Sequence, residues 1–314
     1  MEQLVIIALA WRYLLSTYRM RQGIAFWQIG ASLAVAGYLT TCVLTGTIKS
    51  YHWVLLGIVP LALFHEKPTR RFLLDWLPII AFWLAYDRLR LVQPLLLSRV
   101  AVEWPYELEL RLFGWLGGGD VPAHSWDLWL SAPGGATRDA LSVAAQMIYL
   151  SHMVLLPALL FFWWSRQERG RFTKYVRAFS ILHAMALLTY VTLPVAPPWW
   201  ISLHRMSQPT AQLVAQTNVR DAMHGVVVQG LIGNAAQWFA AVPSLHGAYP
   251  VLMFLLSLGE RKWFASGVVA AYAVAMFAAT VSLNQHYFID LLAGLCAACI
   301  AYLVERSGVL TGES

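Results

Sequence analysis

Charge is scarce in this sequence. Only 12% of its 314 residues are Asp, Glu, Lys or Arg, about half the share of a soluble globular domain. That deficit excludes a chain lying mostly in water, and the 59% hydrophobic content and mean hydropathy of +0.58 agree. Cysteine is down to three residues, all in apolar stretches. Cys296 and Cys299 form a C-x-x-C inside an apolar run with no second ligand pair, which reads as packing rather than metal or redox use. There is no internal repeat, low-complexity tract or linker. Residues 3–10 are apolar, but Arg12, Arg19 and Arg21 follow rather than precede them, so 2–18 reads as an interfacial helix or a short extra span rather than a cleavable signal.

What is abundant is apolar length. A span needs about 20 mostly apolar residues, and the sequence predicts eight, over 25–48, 51–65, 72–90, 138–164, 175–194, 244–259, 262–284 and 286–305. The fold class expected is all-α: one integral membrane domain over 1–314, with N-terminal helices in 1–70, a core in 71–305 and a cytoplasmic tail in 306–314. Fifteen tryptophans and thirteen tyrosines suit aromatic belts at two interfaces. The formal charge of +6 would suggest nucleic acid for a soluble protein. Here the cations sit between spans, so they orient the chain and touch anionic lipid headgroups, and no nucleic-acid partner is expected. Lys67, Arg70 and Arg71, then Arg166, Arg169, Arg171 and Lys174, then Arg261 and Lys262, all fall on one side of an eight-span chain. The positive-inside rule makes that side the cytoplasm of a bacterial-type plasma membrane.

The opposite side receives two long segments, 91–137 and 195–243, of a length that is usually functional. Their Trp and Pro content predicts an ordered cap. Glu103, Glu107 and Glu109 read as the solvated face of an amphipathic helix lying on the membrane, and Trp199 and Trp200 as interfacial anchors.

Two short strings carry chemistry. Pro243-Ser244-Leu245-His246 opens a span, where Ser can cap free N–H groups and where a helix N-terminus favours an anion. His286-Tyr287-Phe288-Ile289-Asp290 sets an imidazole and a carboxylate four apart, on one helical face. The carboxylate would fix the tautomer of His286 and stabilise its cation. The spans between the strings bring both histidines to one level.

The two strings, followed by Gly294, resemble the type-2 phosphatidic acid phosphatase superfamily, and within it the inositol phosphorylceramide synthase-like phosphotransferase branch. Pro194–Trp199, Tyr86–Arg90 and Leu112-Phe113-Gly114 extend the resemblance over roughly residues 75–305. It implies a polytopic bundle with a six-helix core, no metal and no cofactor. It also implies that His286 attacks phosphorus, Asp290 orients it and His246 protonates the leaving oxygen. The activity implied is transfer of a phosphate or inositol-phosphate-like headgroup from a phospholipid or lipid-phosphate donor to an alcohol, through a phospho-histidine. The alternatives are a lipid or polyprenyl phosphate phosphatase using water and, more remotely, a transporter with the histidines in a proton path.

The sequence departs from the superfamily phosphatases in its cations. Their Lys-x6-Arg-Pro string is absent, and Ala279 and Thr280 stand where they carry Ser-Arg. A transferring phosphoryl group is normally held by Arg, Lys or a metal. Arg88 and Arg90 are the leading replacements, against an equal reading as anchors for headgroups. Arg220 is a further candidate, against the plainer reading of a solvated loop cation, and Arg205 also lies in the cap. Ser244, Tyr149 and His152 complete the expected substrate-binding set. His183 reads as a neutral histidine hydrogen-bonded to a neighbouring helix.

Overall fold

The computed structural model describes residues 67–218 and 238–309, together with 33, 36–38 and 40–42. The chain divides into two compact units, 1–77 and 78–314. In the first, the described positions between 33 and 42 are helical, Thr41 donates its hydroxyl to the Gly37 carbonyl at 2.7 Å, and Phe72 stacks on Trp76. The remainder of the spans expected over 25–48 and 51–65, and the segment 2–18, lie outside the described residues.

Helix α1 (Lys67–Leu96) covers residues 72–90, which the sequence predicts to span, and continues through Pro94, but it is not among the described helices apolar enough to cross a membrane. The first long connection then folds into α2 (Glu103–Phe113) and α3 (Pro122–Ser131). Helices α4 (Ala136–Ser165) and α5 (Arg169–Thr192) follow. The second connection carries α6 (Pro198–His204), with Pro198 at its first position, and α7 (Ala211–Gln216), capped by the Thr210 hydroxyl. Helices α8 (Leu245–Gly259), α9 (Trp263–Ser282) and α10 (Phe288–Arg306) complete the bundle. Among the described residues, α4, α5, α9 and α10 are long and apolar enough to cross a membrane, and α8 is a shorter apolar helix. The protein is an all-α integral membrane protein.

Inside a bilayer, helices gain little from burying apolar surface against each other, so small residues and polar pairs do the packing. Both devices are present. Ala248 on α8 and Ala297, Ala298 and Ala301 on α10 are buried. A Cβ on Gly247 would sit 2.9 Å from Leu291 Cδ2, and one on Gly294 would run into the Ser244 carbonyl oxygen. Only glycine lets α8 and α10 approach this closely. Polar pairs then tie the helices in turn. Ser151 meets Tyr272 across α4 and α9 at 2.8 Å, Ser257 meets Ser266 across α8 and α9 at 2.9 Å, and Arg177 meets Glu305 across α5 and α10 at 2.8 Å. His183 Nε2 pairs with the Tyr249 hydroxyl at 2.8 Å, and its ring stacks on Phe82, so the structural reading of this histidine holds. At one end of the bundle Arg171 pairs with Glu260 at 2.9 Å, joining the α4–α5 and α8–α9 turns where the basic residues cluster.

The other end carries the cap. Ala101 N–H donates to the Pro194 carbonyl at 2.8 Å, Ala196 N–H to the Ala101 carbonyl at 2.9 Å, and Val195 N–H to the Phe239 carbonyl at 2.9 Å. Three distant segments are thus stitched together just before Pro243. Trp199 and Trp200 are not interfacial anchors. They are 2% and 0% exposed and pack with Phe239, Leu97, Val100 and Leu130, and the Trp200 indole donates to the Ser207 carbonyl. A short helix folded back over the bundle buries what a flat interfacial segment would present to lipid.

Candidate active site

Both histidine strings lie at the capped end, and the start of each helix explains how. Ser244 is the N-cap of α8, its hydroxyl accepting the Gly247 N–H at 3.4 Å, so His246 falls in the first turn. Tyr287 is the N-cap of α10, and its N–H donates to Asp290 Oδ2 at 3.0 Å. His286 therefore precedes the helix and faces back along it. Its Nδ1 lies 3.2 Å from Asp290 Oδ2, and its Nε2 lies 3.1 Å from His246 Nδ1.

This chain has a chemical direction. An ionised Asp290 only accepts, so His286 donates Nδ1–H to it and keeps a lone pair on Nε2. That lone pair meets His246, which must then donate from Nδ1. A nitrogen that offers a lone pair and a nitrogen that carries a proton share one short contact, and the carboxylate sets the direction of both bonds. Asp290 is 0% exposed and His286 7%, so water competes little for either.

Other expected residues gather around His246. The Tyr149 ring stacks on it at 4.5 Å and 18°, and the His152 ring meets it edge-on at 4.2 Å. His152 Nδ1 is hydrogen-bonded to the Tyr149 carbonyl one turn back, which holds the two side by side on α4. Tyr149 also joins the apolar cluster under the cap that contains Trp199 and Trp200. Ser244 is fully buried, with its hydroxyl turned into its own helix.

Arg88 and Arg90 both bind the buried Asp87, Arg90 through Nε to the carbonyl at 2.9 Å and both through their outer nitrogens to the carboxylate. Leu89 between them packs with Tyr190 in a cluster that also takes in Leu245, the neighbour of His246. Arg220 lies outside the described residues. Ala279 and Thr280 are 3% and 0% exposed, and the Thr280 hydroxyl is spent on the Met276 carbonyl at 2.5 Å. That turn packs inside the bundle. Among the described residues no group of three or more His, Cys, Asp or Glu is gathered as a metal site.

Two residues at this end carry contacts that the sequence reading missed. Asn284 sits at φ +58° two positions before His286, and its Nδ2 donates to Ser202 Oγ of the cap at 2.9 Å. Glu109 is not on a solvated face. It is 0% exposed, and its two oxygens accept the N–H groups of Phe288 and Ile289 at 3.0 and 3.1 Å. Burial pushes its carboxyl up to about 7, against the pull of those two N–H groups and with a further push from Asp290. Glu103 and Glu107 do face outward. Glu107 to Glu109 is a helical step of about 200°, and that step was the available signal.

Known proteins point to the same stretch. The chain is 24% identical over 275 residues to a phosphoinositol dihydroceramide synthase of Bacteroides thetaiotaomicron, covering 84% of this chain and 86% of that one. It is 26% identical to the inositol phosphorylceramide synthase catalytic subunit of Schizosaccharomyces pombe over 44% of this chain and 33% of that one. It is 29% identical to the inositol phosphorylceramide synthase of Candida albicans over 37% of this chain and 26% of that one. No solved structure matches it significantly. A family profile described as the PAP2 superfamily matches residues 124–304, a stretch that runs from α3 through α10 and holds both histidine strings. Across more than half its length, and through the whole of the paired-histidine site, this chain belongs to the PAP2 superfamily.

Proposed function

We propose that this protein is a metal-independent lipid phosphotransferase that moves an inositol-phosphate-like headgroup from a phospholipid to the hydroxyl of an alcohol acceptor. The observation that carries this reading is the chain His246–His286–Asp290, with contacts of 3.1 and 3.2 Å. Substrate phosphate displaces His246 from His286 Nε2. The Nε2 lone pair forms the N–P bond, the P–O bond to the lipid breaks, and His246, which enters this step as the imidazolium, gives one proton to the departing alkoxide and is left neutral. The acceptor hydroxyl then gives its proton to His246 as its oxygen attacks phosphorus, and the N–P bond breaks. Asp290 compensates the positive charge on His286 in both halves. Acid–base help of this kind contributes roughly 10²–10⁴-fold.

The Bacteroides relative, alike over 84% of this chain, supports phosphoinositol as the headgroup and a ceramide-type alcohol as the acceptor. The basic turns at the end opposite the histidines support an extracytoplasmic site in a bacterial-type inner membrane. Arg88 and Arg90 serve as the phosphate clamp, and Tyr149, His152, Ser244 and Arg220 complete the substrate site. The test is purified protein in bilayers with phosphatidylinositol, with and without ceramide, read by mass spectrometry. Inositol-phosphorylated ceramide should form only with the acceptor present and vanish in His286→Ala. Release of phosphate or headgroup phosphate at an acceptor-independent rate would make the protein a hydrolase instead.

A further inference from the structure

The first turn of any helix leaves backbone N–H groups without partners inside the helix. In α10 those groups stand directly behind the nucleophile, and carboxylates take them. Asp290 takes the N–H of Tyr287 at 3.0 Å. Glu109 takes the next two, from Phe288 and Ile289, one on each oxygen. The Glu109 carboxylate arrives from 179 positions earlier in the chain, on a helix outside the bundle. The arrangement is built. Glu109 is fully buried, Pro105 one turn before it is buried too, and a flanking face of α2 exposes Trp104, Leu108 and Leu112. Phe288 is wedged between Phe113, at 5.2 Å, and Trp126, at 5.6 Å. A carboxylate also suits the positive end of the helix.

Resting on the phosphotransferase reading above, we propose that Glu109 is a positioning residue for the transfer. By clamping the N–H groups of Phe288 and Ile289 it fixes the first turn of α10, and with it the angle at which His286 Nε2 meets phosphorus. Glu109 touches neither histidine and acts only through the backbone. The geometry matters because a nucleophile displaced by about 1 Å can lose on the order of 10²-fold in rate. Glutamine at this position keeps the shape but sets an NH2 against one of the two N–H donors. Aspartate keeps the charge but is one methylene too short to reach both.

The experiment compares Glu109→Gln and Glu109→Asp with the parent protein in the phosphatidylinositol-to-ceramide assay. Gel-filtration profile, melting temperature and hydrogen exchange of the peptide containing Phe288 and Ile289 are measured alongside. The expected result is a fall in kcat of about 10- to 100-fold for Glu109→Gln, a smaller fall for Glu109→Asp, and KM for both substrates within about twofold. Exchange at Phe288 and Ile289 should quicken while the protein stays monodisperse with its melting temperature little changed. Unchanged kcat, a rise in KM instead, or activity lost only in step with folded protein in both variants would overturn the inference. His286→Ala run in parallel keeps the two ideas apart. If that variant remained active, the phosphotransferase reading would fall, whereas faster exchange at Phe288 and Ile289 in Glu109→Gln would still report the clamp.

Discussion

The backbone N–H of Ser244 donates to the backbone carbonyl of Asp290 at 3.0 Å. This bond joins the two histidine strings at the main chain, before any side chain is considered. Ser244 fixes the start of α8 and so His246. Asp290 fixes the start of α10 and so His286. The 3.1 Å contact between the two imidazoles is therefore a consequence of how two helix starts are strapped together.

That approach depends on Gly294. Substitution Gly294→Ala puts a methyl group against the Ser244 carbonyl oxygen, on backbone that cannot swing aside. Overpacking of this kind costs about 1–3 kcal/mol, and relief comes only by moving α8 away from α10. The expected outcome is a melting temperature a few degrees lower and a much larger loss of turnover, of at least about tenfold. Turnover per folded molecule, measured beside thermal unfolding in the same bilayer, checks it. Parallel losses would mean that the strap does not set the histidine pair.

Asp290→Asn preserves the shape of the N-cap and removes the charge. The amide oxygen still accepts from Tyr287 N–H or from His286 Nδ1–H, but nothing compensates the imidazolium that forms at His286. Turnover should fall by roughly 10²–10⁴-fold, with lipid binding retained. A phospho-histidine trapped by rapid quench should accumulate more slowly in this variant than in the parent. An equal rate of phospho-enzyme formation would remove Asp290 from the first half-reaction.

The contacts within the two histidine strings were legible because each string is local. Histidine and aspartate four apart need only a helix to meet, and Pro-Ser before a span marks a helix start. Spans that fall on the described residues were legible for the same reason, and 138–164 and 175–194 differ from α4 and α5 by at most six residues at their ends. Glu109 was not legible, because periodicity tells which side of α2 it occupies and not that the start of α10 covers that side. Trp199 and Trp200 misled for a related reason. Tryptophan near a membrane boundary suits an interface, and only the fold shows that a second cap segment, carrying Phe239, buries them.

Asp127 gives a prediction about pH. It lies on α3 in the cap, 4% exposed, and burial pushes its carboxyl up to about 7, with His124 pulling the other way. A raised carboxylate keeps its proton in the folded state after the unfolded chain has lost it. Its stabilising contribution is therefore full below about pH 4 and is lost as pH rises through about 7. The parent should melt at a higher temperature at pH 5 than at pH 8. In Asp127→Asn the difference should shrink, because the amide has no proton to lose. Melting curves at several pH values compare the two directly, and an unchanged slope would show that Asp127 does not titrate in this range.

The proposed phosphate clamp rests on what Asp87 does to its neighbours. Two guanidinium groups share one buried carboxylate, so the trio carries net positive charge next to the cluster that holds Leu245. Asp87 fixes where each guanidinium sits, and in the proposed clamp these are the donors offered to the lipid phosphate. Arg90→Gln and Arg88→Gln should each raise KM for the phospholipid donor by about tenfold, while KM for the alcohol acceptor changes little. Tenfold corresponds to about 1.4 kcal/mol, close to the lower end of the range of about 1.5–3 kcal/mol for a hydrogen bond to a charged group. Asp87→Asn should loosen both arginines and raise donor KM as well. If the arginines instead anchor the chain to headgroups in the surrounding membrane, both KM values stay unchanged. Donor titrations at saturating acceptor, followed by acceptor titrations at saturating donor, separate a clamp that acts on phosphate from one that acts on the bilayer.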